Sequence, residues 1–270
     1  MKRFDHGHLH AVDEPATDRD GPTLSVVARP SFDEGELVAF LATDDLTWRP
    51  SEDASNGEDL IEVAGRLCYL SFGDRQSPKT NAEYIRHLIA HGHESVLEHA
   101  TWSFMLAGVS RGFSHQITRH RVGFAFSQLS QQYYDHREAP AVMPRVLRRL
   151  PGAAARWREA VARSRQSYAE LLELLEEAPE DIPPRERLRL VRTAARTVLP
   201  EATETKLLFS ANARALRHFL VTRGTIEGDE EMRLVAAALL RLMRKEAPSL
   251  FADFSIEELG DGLPVLRHKP

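Results

Sequence analysis

Past Pro144 the chain is written almost entirely in helix formers, and proline supplies the punctuation. Ala153 to Glu177 is rich in Ala, Leu, Glu and Arg, and Pro179 to Pro184 breaks it. Arg185 to Val198 reads as a second helix stopped near Pro200. The last long helix runs from about Asp229 to Glu246 and ends before Pro248. Between them a short apolar run, Lys206 to Ser210, has strand character and leads into a helix over Ala213 to Thr222. The first half is mixed. Leu24 to Ala28 and the aromatic, β-branched stretch Thr101 to Val109 read as strands. Glu58 to Tyr69, Asn81 to Ala90 and Arg111 to His120 read as helices, the second with an apolar stripe of Tyr84, Ile85, Leu88 and Ile89. Strands separated by several helices, without regular βαβ alternation, predict an α+β fold: a small, mostly antiparallel sheet packed with several long helices. No repeat or linker is evident, so residues 23–270 are expected to form one domain. Residues 1–22, with alternating His6, His8 and His10, are expected to be a flexible tail.

The length, 270 residues, is enough for one substantial core. A net charge of −5, from 35 basic and 40 acidic residues, sets up no global field that would demand nucleic acid or an anionic membrane. The single cysteine, Cys68, excludes an intrachain disulfide and fits a reducing compartment, and no apolar run is long enough to cross a bilayer. A cytoplasmic protein is the expectation. There is no Walker loop, no Gly-rich dinucleotide fingerprint and no CxxC pair. Any ligand must therefore be held by Arg, His, Gln, Asn and Ser side chains.

Those residues gather in three clusters. The first is His91-Gly92-His93-Glu94-Ser95-Val96-Leu97-Glu98-His99. Its histidines do not have HExxH spacing, so packing, capping or ligand hydrogen bonding stands against a metal, and Ser95 with Glu98 fits a capping box. The second is Gln116-Ile117-Thr118-Arg119-His120-Arg121, followed by Ser127-Gln128-Leu129-Ser130-Gln131-Gln132-Tyr133. Arginine forks suit phosphate and carbonyl-rich rings, and amides suit a pyrimidine edge. Gln116 and Arg119 stand at i,i+3. Phe113, Phe124 and Phe126 suggest burial, yet no acid lies between Arg111 and Gln132 to pair with a buried arginine. A ligand anion would fill that role; an acid from elsewhere in the fold, or a solvated helix end, is the competing reading. The third cluster is Arg196, then Asn212-Ala213-Arg214-Ala215-Leu216-Arg217-His218, ending at Arg223. If one helix carries both, Asn212 and Arg223 share a face; taken alone this is an ordinary basic helix.

In this order the clusters resemble the flavin-dependent thymidylate synthases. Arg119-His120-Arg121 through Ser130 and Tyr133 is similar to the family's Arg-His-Arg signature, and HGHESVLEH to its His-x-Ser/Thr-x-x-Glu-His segment. ARTVLP and ANARALRHFLVTR resemble its later ligand-binding segments, and the likeness spans roughly Gly57 to Met243. The resemblance implies FAD held by Ser95, Arg119, His120, Arg121, Gln128, Asn212, Arg214 and His218, with His93 nearby. It implies dUMP held by Gln116, Arg119, Gln128, Ser130, Gln132, Arg196 and Arg223, with Arg223 the catalytic residue that favours the ionised uracil. It further implies methylenetetrahydrofolate as one-carbon donor, NADPH as reductant, and a homotetramer with shared sites. Two departures stand out. Eight residues, Val122 to Leu129, separate Arg121 from Ser130, one more than the family pattern. Gln132 stands where the family usually has an arginine, and one lost charge-assisted bond costs roughly 1.5–3 kcal/mol. Gln132 keeps open a paralogue acting on UMP or another pyrimidine nucleotide. The residues also leave room for an Arg-rich nucleotide- or RNA-binding protein, and for a metalloprotein using His91, His93 and His99. Cys68, in the apolar segment GRLCYL, is expected to be a packed core residue rather than a nucleophile.

Overall fold

The computed structural model describes residues 21–78, 80–176 and 182–269. The histidine-bearing stretch before residue 21 and the Pro179 break lie outside the described residues. In chain order the elements are β1 (Thr23–Ala28), α1 (Glu34–Ala42), α2 (Asn56–Leu67), α3 (Asn81–Ala90), β2 (Thr101–Ser110), α4 (Arg111–Ile117), β3 (Phe124–Gln128), α5 (Arg145–Arg148) and α6 (Pro151–Glu176). Then come α7 (Pro184–Ala195), β4 (Glu204–Asn212), α8 (Ala213–Gly224), α9 (Glu230–Glu246), β5 (Phe254–Glu258) and β6 (Pro264–His268). The fold is α+β, as the pattern predicts. Two compact units divide it: residues 21–129 with 205–270, here the sheet unit, and residues 130–204, here the helical unit.

In the sheet unit four strands run in the order β1-β2-β4-β3, with β1 antiparallel to β2 and β3 antiparallel to β4. Strand alternation decides what is buried. Trp102, Phe104 and Leu106 of β2 and Leu207, Phe209 and Ala211 of β4 enter the core, where they join Ile85, Leu88, Phe113, Leu216, Phe219 and the inner face of α9. Phe104 and Phe209 stack at 4.9 Å between ring centroids. The β5–β6 hairpin packs on α8 and α9. In the helical unit α6 and α7 enclose a smaller core of Tyr168, Leu172, Val191 and Ala195.

The structure corrects several expectations. Helix α4 stops at Ile117, so Arg119-His120-Arg121 lies in the turn that follows, and Gln116 and Arg119 do not share a helix face. Asn212 caps α8 rather than belonging to it, so it and Arg223 share no helix face. Ser95 lies within a 3₁₀ turn, Glu94–Glu98, whose N-cap is His93; the capping box does not form. Cys68 caps the end of α2 and is exposed, its thiol donating weakly to the Ala64 carbonyl at 3.4 Å. Its apolar neighbours Leu67, Tyr69 and Leu70 are exposed too, because α2 buries the opposite face through Ile61, Gly65 and Arg66. Helix α1, β3 and the β5–β6 hairpin are additional to the elements expected from the sequence.

Candidate functional site: the α4–β3 turn and the face of α8

Ser110 starts α4 by accepting a hydrogen bond from the Phe113 amide at 2.9 Å, an ordinary N-cap. Less ordinary is its second partner. Glu231, from the first turn of α9, accepts from both the amide and the hydroxyl of Ser110 at 2.6 Å each. Burial pushes the Glu231 carboxyl above its usual value, and the two Ser110 bonds partly offset that shift. Phe113, Ser114 and Ile117 form the buried face of α4. Thr118 then ends the helix, donating to the Ser114 carbonyl at 2.9 Å.

The chain next turns through Arg119-His120-Arg121. Both arginines are exposed, and neither guanidinium has a hydrogen-bond or ion-pair partner among the described residues. The expectation that phenylalanines bury this segment holds for Phe113 and in part for Phe124 and Phe126, but not for the arginines. His120 differs from its neighbours. Its ring lies edge-on to Phe219 at 5.4 Å and within 6.1 Å of His218, and its Nε2 accepts from Arg223 Nε at 3.1 Å. Burial first, then the charges of Arg223 and His218, hold the imidazole pKa below its ordinary value. His120 is therefore neutral at pH 7. Because guanidinium only donates, the ring proton must sit on Nδ1. Two residues past the turn, Gly123 has φ of +72°, and a Cβ there would come within 2.8 Å of the Asn212 side chain and of Ala215. The turn and the α8 cap are thus fitted to each other. Asn212 accepts from the Ala215 amide at 2.9 Å, and its own amide donates to the Gly123 carbonyl.

Gln128 closes β3 with its amide nitrogen donating to Ser114 at 2.7 Å and to Thr205 at 3.1 Å. Its carboxamide oxygen is thereby oriented, and Gln116 projects from the last turn of α4. Along α8, Arg214 reaches Glu98 at 2.7 Å and Glu94 at 3.4 Å, which ties the 3₁₀ turn carrying Ser95 to this helix. His218 is exposed and Arg223 half-buried. In the sheet unit, then, His120 bonds Arg223 and lies beside His218, Gln116, Arg119 and Arg121 flank it along the chain, and the turn carrying Ser95 is tied to Arg214.

The remaining predicted site residues belong to the helical unit. Ser130 accepts from the Gln132 amide at 3.1 Å, while the Gln132 side chain donates to Thr193 of α7 at 3.1 Å. Arg196 opens the 3₁₀ turn Arg196–Val198 that follows α7. Glu231, Ser114 and Thr205 are not legible in the sequence because their roles rest on pairings across 121, 14 and 77 residues. Among the described residues, no group of His, Cys, Asp and Glu is arranged to hold a metal, and the rings of His91 and His93 lie 6.2 Å apart at their centroids.

A family model described as thymidylate synthase complementing protein matches residues 52–249. The flavin-dependent thymidylate synthase of Mycobacteroides abscessus is 43% identical over 236 residues, covering 85% of this chain and 93% of the relative. That of Mycobacterium avium is 44% identical over the same coverage, and that of Corynebacterium aurimucosum is 41% identical, covering 83% and 91%. The match takes in α2 through α9, including the arginine turn, the α8 face and the Gln132 segment. On these grounds the chain belongs to the flavin-dependent thymidylate synthase family.

Proposed function

We propose that this enzyme methylates dUMP at C5 to give dTMP, with methylenetetrahydrofolate as one-carbon donor, FAD as cofactor and NADPH as reductant. The observation that carries the reading is the α4–β3 turn: two exposed arginines, without acidic partners among the described residues, flank a histidine hydrogen-bonded to Arg223. Unpaired guanidinium forks at a fixed turn fit the anionic groups of a dinucleotide and a nucleotide. The names of the relatives support the flavin.

Bound FAD would supply the redox chemistry, since no side chain here can deliver a hydride. The protein's own residues bind and polarise. Arg119, His120 and Arg121, with Ser95, Gln128, Asn212, Arg214 and His218, serve the flavin. Gln116, Arg119, Gln128, Ser130, Gln132 and Arg196 serve the nucleotide. Arg223 stabilises negative charge on the uracil, and the neutral His120 ring holds its guanidinium in place without competing for that charge. The single thiol, exposed at the end of α2, has no part in the reaction, so Cys68→Ala should keep turnover. The active form is a cytoplasmic homotetramer with sites shared between copies, and residues 23–270 serve as one catalytic region.

A second reading has one specific observation in its favour. Gln132 brings no charge to a position where the family usually has arginine, and its amide is committed to Thr193. A paralogue methylating UMP would fit that change, and relative turnover of dUMP and UMP separates the two. The first test of the main reading is the visible spectrum of the protein after incubation with FAD. Flavin bands that dUMP perturbs are expected. A protein that neither retains flavin nor responds to dUMP would sink the proposal.

A further inference from the structure

The helical unit holds an arginine cluster that the flavin and nucleotide roles leave unused. A cavity of about 300 Å³ opens there between α7 and the segment after Tyr134. Its floor is apolar, made by Leu172 and Val191 of the unit's small core. Among the described residues its walls carry Arg137, Arg187 and Arg192 against a single acid, Asp135. Asp135 meets Arg137 at 3.3 Å, and Arg192 Nη1 donates to the Tyr133 carbonyl at 2.5 Å, which fixes that side chain at the rim. Arg187 is the telling residue. Its Nη2 reaches the Ile182 carbonyl at only 3.4 Å, and among the described residues its Nε has no hydrogen-bond partner.

A basic helix is ordinarily a solvated face, and Arg189, paired with Glu186 at 3.9 Å on the same helix, fits that description. Arg187 has no acid paired with it among the described residues. Its Nη1 has no partner among the described residues, so the fork can still donate to an oxyanion in the cavity. Among the described residues, three guanidinium groups face one carboxylate, an excess of positive charge over an apolar floor. Such a site favours an anion with several acceptor oxygens over water or a second cation. The volume, at the small end for ligand sites, suits a compact group.

We infer that this cavity is a binding site for a phosphate monoester or inorganic phosphate, held by Arg137, Arg187 and Arg192. The inference does not depend on the reading of the α4–β3 turn, because none of the three arginines belongs to that assignment. The test is the melting temperature of the full-length protein at constant ionic strength, with chloride exchanged for phosphate. Inorganic phosphate at 10 mM should raise the midpoint by roughly 2–4 °C if it binds with millimolar affinity. Arg187→Gln should abolish that increment and Arg137→Gln should reduce it, whatever either change does to the starting midpoint. A phosphate increment that persists unchanged in the variants, or that chloride reproduces, overturns the proposal. Should Arg187→Gln not fold, Arg187→Lys keeps the charge but loses the fork; with Arg137→Gln it must still lower the increment. Displacement of bound phosphate, read by ³¹P line width, identifies the source. Competition by dUMP but not deoxyuridine would point to the nucleotide, competition by NADPH but not NADH to the dinucleotide, and neither to the free ion.

Discussion

Arg66, Arg217 and Arg233 share the sheet unit with Arg119 and Arg121, yet the two groups stand in opposite circumstances. Arg66 is wholly buried; it donates to Glu62 at 2.6 Å and to the Pro78 carbonyl at 2.7 Å, with its guanidinium 4.2 Å from the Tyr84 ring centre. Arg217 forks onto Asp253 at 2.6 and 2.7 Å and donates to the Leu250 carbonyl. Arg233 forks onto Asp261 and reaches the carbonyls of Glu227, Leu263 and Pro264, clamping the β5–β6 hairpin to α9. Every one of these is satisfied from within the fold. Among the described residues the turn arginines have no such provision, and both are exposed. The structural arginines carry their counter-ions with them, whereas the two turn arginines are left to water. Arg223 is intermediate, half-buried and joined to a neutral imidazole rather than a carboxylate.

The contrast can be broken most forcefully at Arg66. Arg66→Leu leaves Glu62 buried, with only Asn81 donating to it at 2.8 Å, and should cost about 3–5 kcal/mol in urea unfolding. A cost below about 1 kcal/mol would mean that the pair is not structural. Arg119→Gln and Arg121→Gln should do the reverse. Stability should change by no more than about 0.5 kcal/mol, while FAD affinity, followed by flavin fluorescence, falls roughly 10- to 100-fold for each charge-assisted bond lost. Destabilisation without loss of affinity would erase the distinction.

The smallest effect concerns an acid in the converse position. Asp59 lies in the first turn of α2, and among the described residues one of its buried carboxyl oxygens has no partner. Burial, then the charges of Glu62, Glu58 and Glu34, push its pKa up to about 6. A carboxyl raised in the folded state binds its proton more tightly there. It therefore favours folding at low pH and loses that contribution as pH rises through about 6. Asp59→Asn should accordingly stabilise the protein at pH 8 by about 1 kcal/mol, a figure reduced for the group's partial exposure, and make no difference near pH 4. Equal unfolding curves at both pH values would contradict this.

The long helices and the two most apolar strands are legible in the sequence because their patterns are local: Tyr84, Ile85, Leu88 and Ile89 mark one helix face without reference to anything distant. Helix α1 is equally legible in principle, since Asp33 accepts from the Glu36 amide at 3.1 Å, a signal contained in four residues. So is the terminal hairpin, whose Asp261-Gly262 turn separates Phe254–Glu258 from Pro264–His268. The end of α4 is harder. Nothing in Thr118-Arg119-His120 forbids another helical turn, and the fit of Gly123 against Asn212, just beyond it, involves a segment about ninety residues on. The same limit hides Glu231, whose hold on Ser110 exists only once α9 has packed. Cys68 misleads for the opposite reason: an apolar string looks like core until the helix's other face proves to be the buried one.

The exposure of that cysteine has a practical use. The chain offers a single thiol, at the exposed end of α2. A nitroxide attached to Cys68 gives each polypeptide one spin and no intramolecular distance. Any dipolar coupling in a pulsed resonance experiment must then arise between copies, so the spacing of subunits in solution becomes readable from the native thiol, with no cysteine added or removed.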